Sequence, residues 1–376
     1  MSGRVLHVAQ ISFFVDPQRR APPQLLQDWP TLGDVAEATE QAGAQVSVVQ
    51  ACAYSERLTR NKVDYHFFTA DLTAPTVANT RGLKKLIDDL QPDVFHVHGL
   101  GFPRDVAVLA SMSPNVPILL QDHADRPPRI WRRRLWRRAF ASAAGVAFCA
   151  LEQSRPWTAA GLIGKTTRIY EISESSSRFS PGEQSQARAR TQLRGDPCLL
   201  WVGHLNSNKD PLTVLSGVSA AVRELPNLQL WCCFASAPLR AEVTRKIEAD
   251  PRLKGRVHLL GAVAHSEIEF LMRAADFLVQ GSHQEGSGYA LLEALACGLP
   301  PVVTDIPSFR TLTGDGAVGR LWPRGNALAC ADALLSIAAQ PRAALRARVR
   351  EHFDRFLSFE ALGRTLTQTY RHLRPA

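Results

Sequence analysis

Short apolar runs alternate with amphipathic stretches along the whole chain. Val5–Ile11, Gln45–Gln50, Asp93–His98, Pro117–Gln121 and Gly145–Ala150 have the near-continuous apolar character of strands buried on both faces. Between them, Trp29–Gly43 and Thr80–Leu90 repeat apolar residues at helical spacing, and Gly43 suits a helix C-cap. The texture changes over Glu171–Gln192, which is rich in Ser, Pro, Gly and Arg and lacks periodicity. The alternation then restarts with Cys198–Val202, Leu228–Phe234, Val257–Leu260, Phe277–Gly281 and Pro301–Thr304. Phe359–Leu373 closes the chain as an amphipathic helix. Strand–helix–strand alternation implies parallel sheets with crossover helices. The expectation is an α/β protein of two doubly wound Rossmann-like domains facing a central cleft. Its boundaries are 1–175, a linker over 176–195, 196–358, and a C-terminal helix over 359–376 that packs back on the first domain.

Composition narrows the class without changing that picture. With 376 residues, 45% hydrophobic and 21% charged, the chain resembles an ordinary globular protein and is long enough for two cores. Seven scattered cysteines, none in a Cys-x-x-Cys pair, argue against a zinc site or a disulfide framework and fit a cytoplasmic setting. No apolar run reaches the ~18 residues of a membrane span. His7, Gln10 and Asp16-Pro17 interrupt the opening segment, which reads as a buried strand and not a signal peptide.

The strongest chemistry lies in Phe277–Asp305, FLVQGSHQEGSGYALLEALACGLPPVVTD. A strand ends at Gly281, a glycine-rich loop follows, and Tyr289–Cys297 forms a helix stopped by Gly298 and Pro300. A glycine-rich turn entering a helix presents backbone N–H groups at the positive end of the helix dipole, which suits phosphate. Glu285 sits in the loop and Glu293 in the helix. By spacing alone, Glu285 fits a helix cap as well as a sugar-hydroxyl acceptor, and Glu293 a solvated residue as well as a ribose ligand. The stretch resembles the nucleotide-sugar signature of retaining family-four glycosyltransferases of the GT-B fold. That signature has two glutamates separated by seven residues, the first followed by Gly-x-Gly. The resemblance implies Glu285 near the donor sugar, Gly288, Tyr289 and Ala290 as backbone donors to the diphosphate, and Glu293 on the ribose.

Leu199–Pro211, LLWVGHLNSNKDP, matches the same family's Val-Gly-Arg-Leu and Glu-Lys-Gly elements. Lys209 falls on the lysine that steadies the leaving diphosphate, beside Gly203. Two positions depart: His204 replaces an arginine and Asp210 a glycine. A histidine is mostly neutral at pH 7, so leaving-group stabilisation is expected to be weaker, pH-sensitive or supplied elsewhere.

In the first half, strands end in Asp93–Gly99 (DVFHVHG) and Leu119–Asp125 (LLQDHAD). The resemblance assigns His123 to the neighbourhood of the transferred sugar, with His96, His98 and Asp122 as weaker cleft residues. Phe13–Pro30 lacks the family's paired glycines, so acceptor recognition does not transfer. No metal site is expected, since two histidines on one strand without a third ligand are poor evidence for one.

Arg126–Arg138, RPPRIWRRRLWRR, contains seven arginines and no acid, and so holds most of the chain's net charge of +9. If helical from Pro128, it places Trp131, Leu135, Trp136, Ala139 and Phe140 on one side. Arg133, Arg134, Arg137 and Arg138 lie on the other. Such a helix fits a core-packed element with a solvated face, a contact with an anionic membrane, or phosphate and base binding. No nucleic-acid module accompanies it.

The resemblance implies a retaining, metal-independent glycosyltransferase. Its donor is a UDP-, GDP- or ADP-sugar and its acceptor a glycan, lipid-linked or small molecule. Its place is the cytoplasm or the inner membrane face, and nucleic acid is not an expected partner. The rivals are a nucleotide-sugar epimerase or other enzyme of the same fold, a catalytically silent sugar-nucleotide binder associated with membrane through the Arg-rich helix, and a nucleic-acid or membrane-binding protein led by the arginine cluster.

Overall fold

The computed structural model describes residues 5–70 and 80–374. The chain divides into two compact units, Met1–Ser176 with Phe359–Ala376, and Ser177–Ser358. Met1–Arg4, the start of the segment weighed as a leader, lies outside the described residues.

The N-terminal unit is built on eight strands: β1 (His7–Ser12), β2 (Gln45–Cys52), β3 (Glu56–Arg60), β4 (Val63–Thr69), β5 (Val94–His98), β6 (Ile118–Gln121), β7 (Ala143–Phe148) and β8 (Arg168–Glu171). Their order is β3-β4-β2-β1-β5-β6-β7-β8. All neighbours are parallel except the β3–β4 hairpin. Strands β1, β2, β5, β6 and β7 are almost wholly buried, which is why their sequences are continuous apolar runs. Three strands escaped the sequence reading. β3 is a charged, half-exposed edge, a composition that guards an edge against further pairing. Asp64 and His66 interrupt the apolar run of β4, and β8 is a short half-exposed strand.

The helix Phe359–Leu373 belongs to this unit. Leu362, Leu366, Tyr370 and Leu373 share one apolar cluster with Val35 and Ala38 of the helix Pro30–Gln41. The two helices touch at Gly363, where a Cβ atom would fall 2.1 Å from the carbonyl oxygen of Ala38. Any side chain there would force the helices apart.

The C-terminal unit holds six parallel strands: β9 (Cys198–Val202), β10 (Gln229–Cys233), β11 (Val257–Gly261), β12 (Phe277–Gln280), β13 (Pro301–Thr304) and β14 (Arg320–Trp322). Their order is β11-β10-β9-β12-β13-β14. Winding therefore reverses between β9 and β12, as it does between β1 and β5 in the other unit. Open α/β sheets bind ligands outside the carboxyl ends of the strands at such a reversal.

The segment read as a linker is not loose. It carries the helix Gln184–Thr191, of which only Ala187 is buried. Polar bonds dock it within the C-terminal unit: Arg188 pairs with buried Asp276 at 2.9 Å, and Arg190 with Glu267 at 2.6 Å. Apolar periodicity is blind to a helix held in this way.

All seven cysteines are buried free thiols. Among the described residues, no helix is long and apolar enough to cross a membrane.

Candidate active site

At the reversal in the C-terminal unit, the loops after β9 and β12 meet. Lys209 follows β9 and Glu285 follows β12, and Lys209 Nζ donates to Glu285 Oε1 at 2.5 Å. Backbone and side-chain bonds fix both loops. Asn208 accepts the His283 N–H at 2.7 Å, and its amide donates to the Gln284 carbonyl at 2.9 Å. The Ser308 hydroxyl donates to the Glu285 carbonyl at 3.3 Å. His283 Nε2 lies 3.3 Å from Asp210 Oδ2.

The helix Tyr289–Ala296 starts from Gly288, which has φ 64°. A Cβ atom at Gly288 would also stand 2.8 Å from the Phe309 ring. This position therefore needs glycine for conformation and for space. Tyr289 and Ala290 form the first turn, where backbone N–H groups lack intrahelical acceptors. One turn on, Glu293 Oε1 meets His265 Nε2 at 2.5 Å. That hydrogen bond raises the His265 pKa above its ordinary value, against a smaller opposing effect of burial.

His204 is exposed just beyond β9. Its Nδ1 accepts the Ser236 N–H at 3.3 Å. Nδ1 thus acts as an acceptor, which in the neutral ring leaves the N–H on Nε2. Gly203, between β9 and His204, has φ 156°, with the Lys209 stem alongside.

The reversal in the N-terminal unit carries a second cluster. His98 ends β5, His123 lies just after β6, and Glu174 follows β8. His123 Nδ1 is ion-paired with buried Glu174, and its Nε2 is 3.1 Å from His98 Nδ1. Burial opposes charge on His123. The Glu174 hydrogen bond, with the charges of Glu174, Asp125 and Asp122, outweighs that and raises its pKa. Burial and the neighbouring His96 and His123 keep His98 well below its ordinary value. When His123 is protonated, it donates to Glu174 on one side and to His98 on the other. Burial, and then Asp125, push the Asp122 carboxyl up to about 7.

His96 stands apart from this chemistry. It is fully buried, and the Tyr370 hydroxyl bonds its Nδ1 at 2.7 Å. Burial drives its pKa down to about 3. It is a neutral core histidine that ties the C-terminal helix to the sheet, although its ring lies 4.3 Å from that of His98.

Two family profiles match the chain: "Glycosyl transferases group 1" over residues 196–340 and "Glycosyltransferase Family 4" over 31–153. Together they take in most of the chain and both loop clusters. The chain is a family 4 glycosyltransferase of group 1. Among curated relatives, it is 27% identical over 264 residues to the GDP-mannose:cellobiosyl-diphosphopolyprenol alpha-mannosyltransferase of Xanthomonas campestris, a match spanning 68% of this chain and 67% of that one. It is 31% identical over 209 residues to the D-inositol 3-phosphate glycosyltransferase of Frankia alni, spanning 53% and 51%. In structure it resembles Anabaena HepE in complex with UDP, with a TM-score of 0.69 at 17% identity, covering 98% of this chain and all of that one. The fold of the glycosyltransferase is GT-B.

Geometry accounts for one of the two departures from the family motif. Asp210 has φ 46°, a left-handed conformation in which glycine is strain-free and Asp is tolerated. The Asp210 side chain also accepts the Thr213 N–H at 3.2 Å, capping the helix Pro211–Ala221. Asp thus replaces Gly without disturbing Lys209. Three features of the glycosyltransferase had no sequence signal. Glu174 lies in the polar run ISESSS. His265 is set 28 residues before Glu293. The loop after β1, which lacks paired glycines, is closed instead by Arg20 on Asp16 at 2.7 Å and on Asp28 at 3.0 Å.

Proposed function

We propose that the protein is a retaining hexosyltransferase that moves a sugar from a UDP-, GDP- or ADP-sugar to a lipid-linked glycan. The observation that carries this reading is the Lys209–Glu285 pair at the sheet reversal, beside a helix N-terminus. When a donor binds, Lys209 turns from Glu285 to the diphosphate, and the amides of Gly288, Tyr289 and Ala290 take its oxygens. His204 Nε2–H adds a neutral donor. Glu293, with His265 holding one oxygen, accepts from the ribose hydroxyls. Glu285, released, accepts from the sugar hydroxyls. His123, fixed by Glu174, offers a proton to a sugar hydroxyl.

The acceptor oxygen attacks the anomeric carbon on the face from which the diphosphate departs. The carbon–oxygen bond to the diphosphate breaks, and the acceptor proton passes to a phosphate oxygen of the leaving group. Negative charge grows on that diphosphate, and a fixed cation with aligned amides stabilises it more in the transition state than before it. The positive charge needed is supplied by Lys209 and the helix end, so the reading requires no metal. The lipid-linked acceptor is supported by the diphosphopolyprenol acceptor in the Xanthomonas relative's name.

The experiment is transfer from each sugar nucleotide to a lipid-diphosphate saccharide, with the product's anomeric configuration read by NMR. The reading requires the donor's own configuration in the product. Inversion, or donor epimerised without transfer, contradicts it.

A further inference from the structure

The arginine-rich segment does not fold as its periodicity suggests. The α-helix begins only at Arg133, after a single 3-10 turn over Ile130–Arg132. Trp136, Ala139 and Phe140 face the core, and the Trp136 indole donates to the Leu100 carbonyl at 2.9 Å. Trp131, expected on the same side, is instead 70% exposed, and its neighbour Ile130 is 73% exposed. Arg129 and Arg132 are exposed, whereas Arg133, expected on the solvated side, is half-buried. Two large apolar side chains are thus exposed at adjacent positions within the arginine-rich segment.

The charge is uncompensated. Among the described residues, no carboxylate pairs with any of the seven arginines. Their contacts are the carbonyls of Pro128 and Gly161 and the rings of Trp131 and Trp136. Arg132, Arg134, Arg138 and Arg104 also line a cavity of about 630 Å³ together with Asp105 and Trp131. The cavity opens beside the loop after β5, the end of the sheet that carries His98 and His123.

A solvated cationic face explains arginines but not an exposed Trp–Ile tip among them. Nucleic acid would use the charge and could stack a base on Trp131, but the exposed Ile130 beside it offers no π face. An interfacial anchor needs both: an apolar tip for the headgroup boundary and cations for lipid phosphates. We infer that Arg126–Arg138 docks the N-terminal unit on an anionic phospholipid bilayer, with Ile130 and Trp131 in the headgroup layer. Arg132, Arg134 and Arg138 draw a lipid phosphate to the cavity they line. This is independent of the donor assignment, because docking needs neither nucleotide nor turnover.

The test is co-sedimentation of the full chain with phosphatidylcholine vesicles, with and without phosphatidylglycerol, across a salt series. Binding is expected only with phosphatidylglycerol and should fall as salt rises. Each arginine near an anionic surface contributes about a fivefold factor in partition, so R132Q/R134Q/R138Q together should lose about a hundredfold. Trp131→Ala should weaken binding with the charge intact. These positions are exposed, and unchanged melting temperatures would confirm folded variants. Equal binding to neutral vesicles, no binding to either, undiminished binding by the triple variant, or preference for duplex DNA over anionic vesicles would each overturn the inference.

Discussion

Lys209 and Glu285 are 76 positions apart, yet Nζ and Oε1 lie 2.5 Å from each other where the sheet of the C-terminal unit reverses its winding. Both side chains are mostly shielded, at 20% and 13% exposure. On the proposed reading the pair is a placeholder, with the lysine paired to the carboxylate until a diphosphate replaces it.

This makes the two single variants separable. Glu285→Gln frees Lys209, so nucleoside diphosphate affinity should hold or rise while turnover falls on the order of a hundredfold. Lys209→Ala should lower both, with roughly 1.5–3 kcal/mol lost in diphosphate binding. Calorimetry of nucleoside diphosphates beside turnover rates distinguishes them. Equal loss of affinity in both variants would show that the pair is structural.

His204 stands where the family has arginine and offers a single neutral donor. His204→Arg restores a permanent charge. Donor KM should fall several-fold, measured from initial rates, while melting changes little because the site is exposed. A rise in KM would mean that the histidine is itself adapted to the donor.

Asp210 combines left-handed backbone with a helix cap. Asp210→Gly should cost a few tenths of a kcal/mol, since glycine relieves the conformation as it removes the cap. Asp210→Ala loses the cap and keeps the strain, for about 1–2 kcal/mol. Urea unfolding of the two variants measures the difference.

Glu174 raises the pKa of His123 against the effect of burial. A histidine whose folded pKa is raised lends stability that is fully present below its unfolded value near 6.5, and that is lost as pH rises through the folded value. The stability gap between wild type and Glu174→Gln should therefore be widest in mild acid and close above neutrality. NMR titration of the His123 ring should show its pKa falling in Glu174→Gln.

Asp122 carries the same sign at lower pH. Its carboxyl is pushed up to about 7, from an unfolded value near 3.9. The folded state therefore holds an extra proton between those values, and stability declines as pH rises through that window. Asp122→Asn keeps one oxygen as acceptor, for the Asp125 amide, and gives up the longer Ala124 bond. It should be more stable than wild type at pH 8, and the advantage should vanish near pH 4. Thermal melts across that range check this.

Buried parallel strands were legible because both faces demand apolar residues, and the turn into the helix Tyr289–Ala296 was legible because its left-handed start needs a glycine. The β3–β4 hairpin, the helix Gln184–Thr191 and the Glu174–His123 pair were not. The helix and the ion pair rest on polar contacts between residues distant in sequence, and the hairpin pairs a charged edge strand with a polar-interrupted one, so none of them leaves an apolar period. The helical wheel placed Trp131 inward because periodicity cannot show that the helix starts at Arg133. His96 and His98 share one strand face and one motif, and only packing against Tyr370 separates a core histidine from one at the strand end.

The central claim is that Lys209 and the Gly288 helix end hold a nucleoside diphosphate sugar. Thermal denaturation of wild type and Lys209→Ala with UDP-, GDP- and ADP-sugars tests it most directly. At 100 times its dissociation constant, the true donor should stabilise the wild type by about 2.7 kcal/mol. The variant at the same concentration should gain far less. No shift with any sugar nucleotide, or an equal shift in both proteins, would contradict the account.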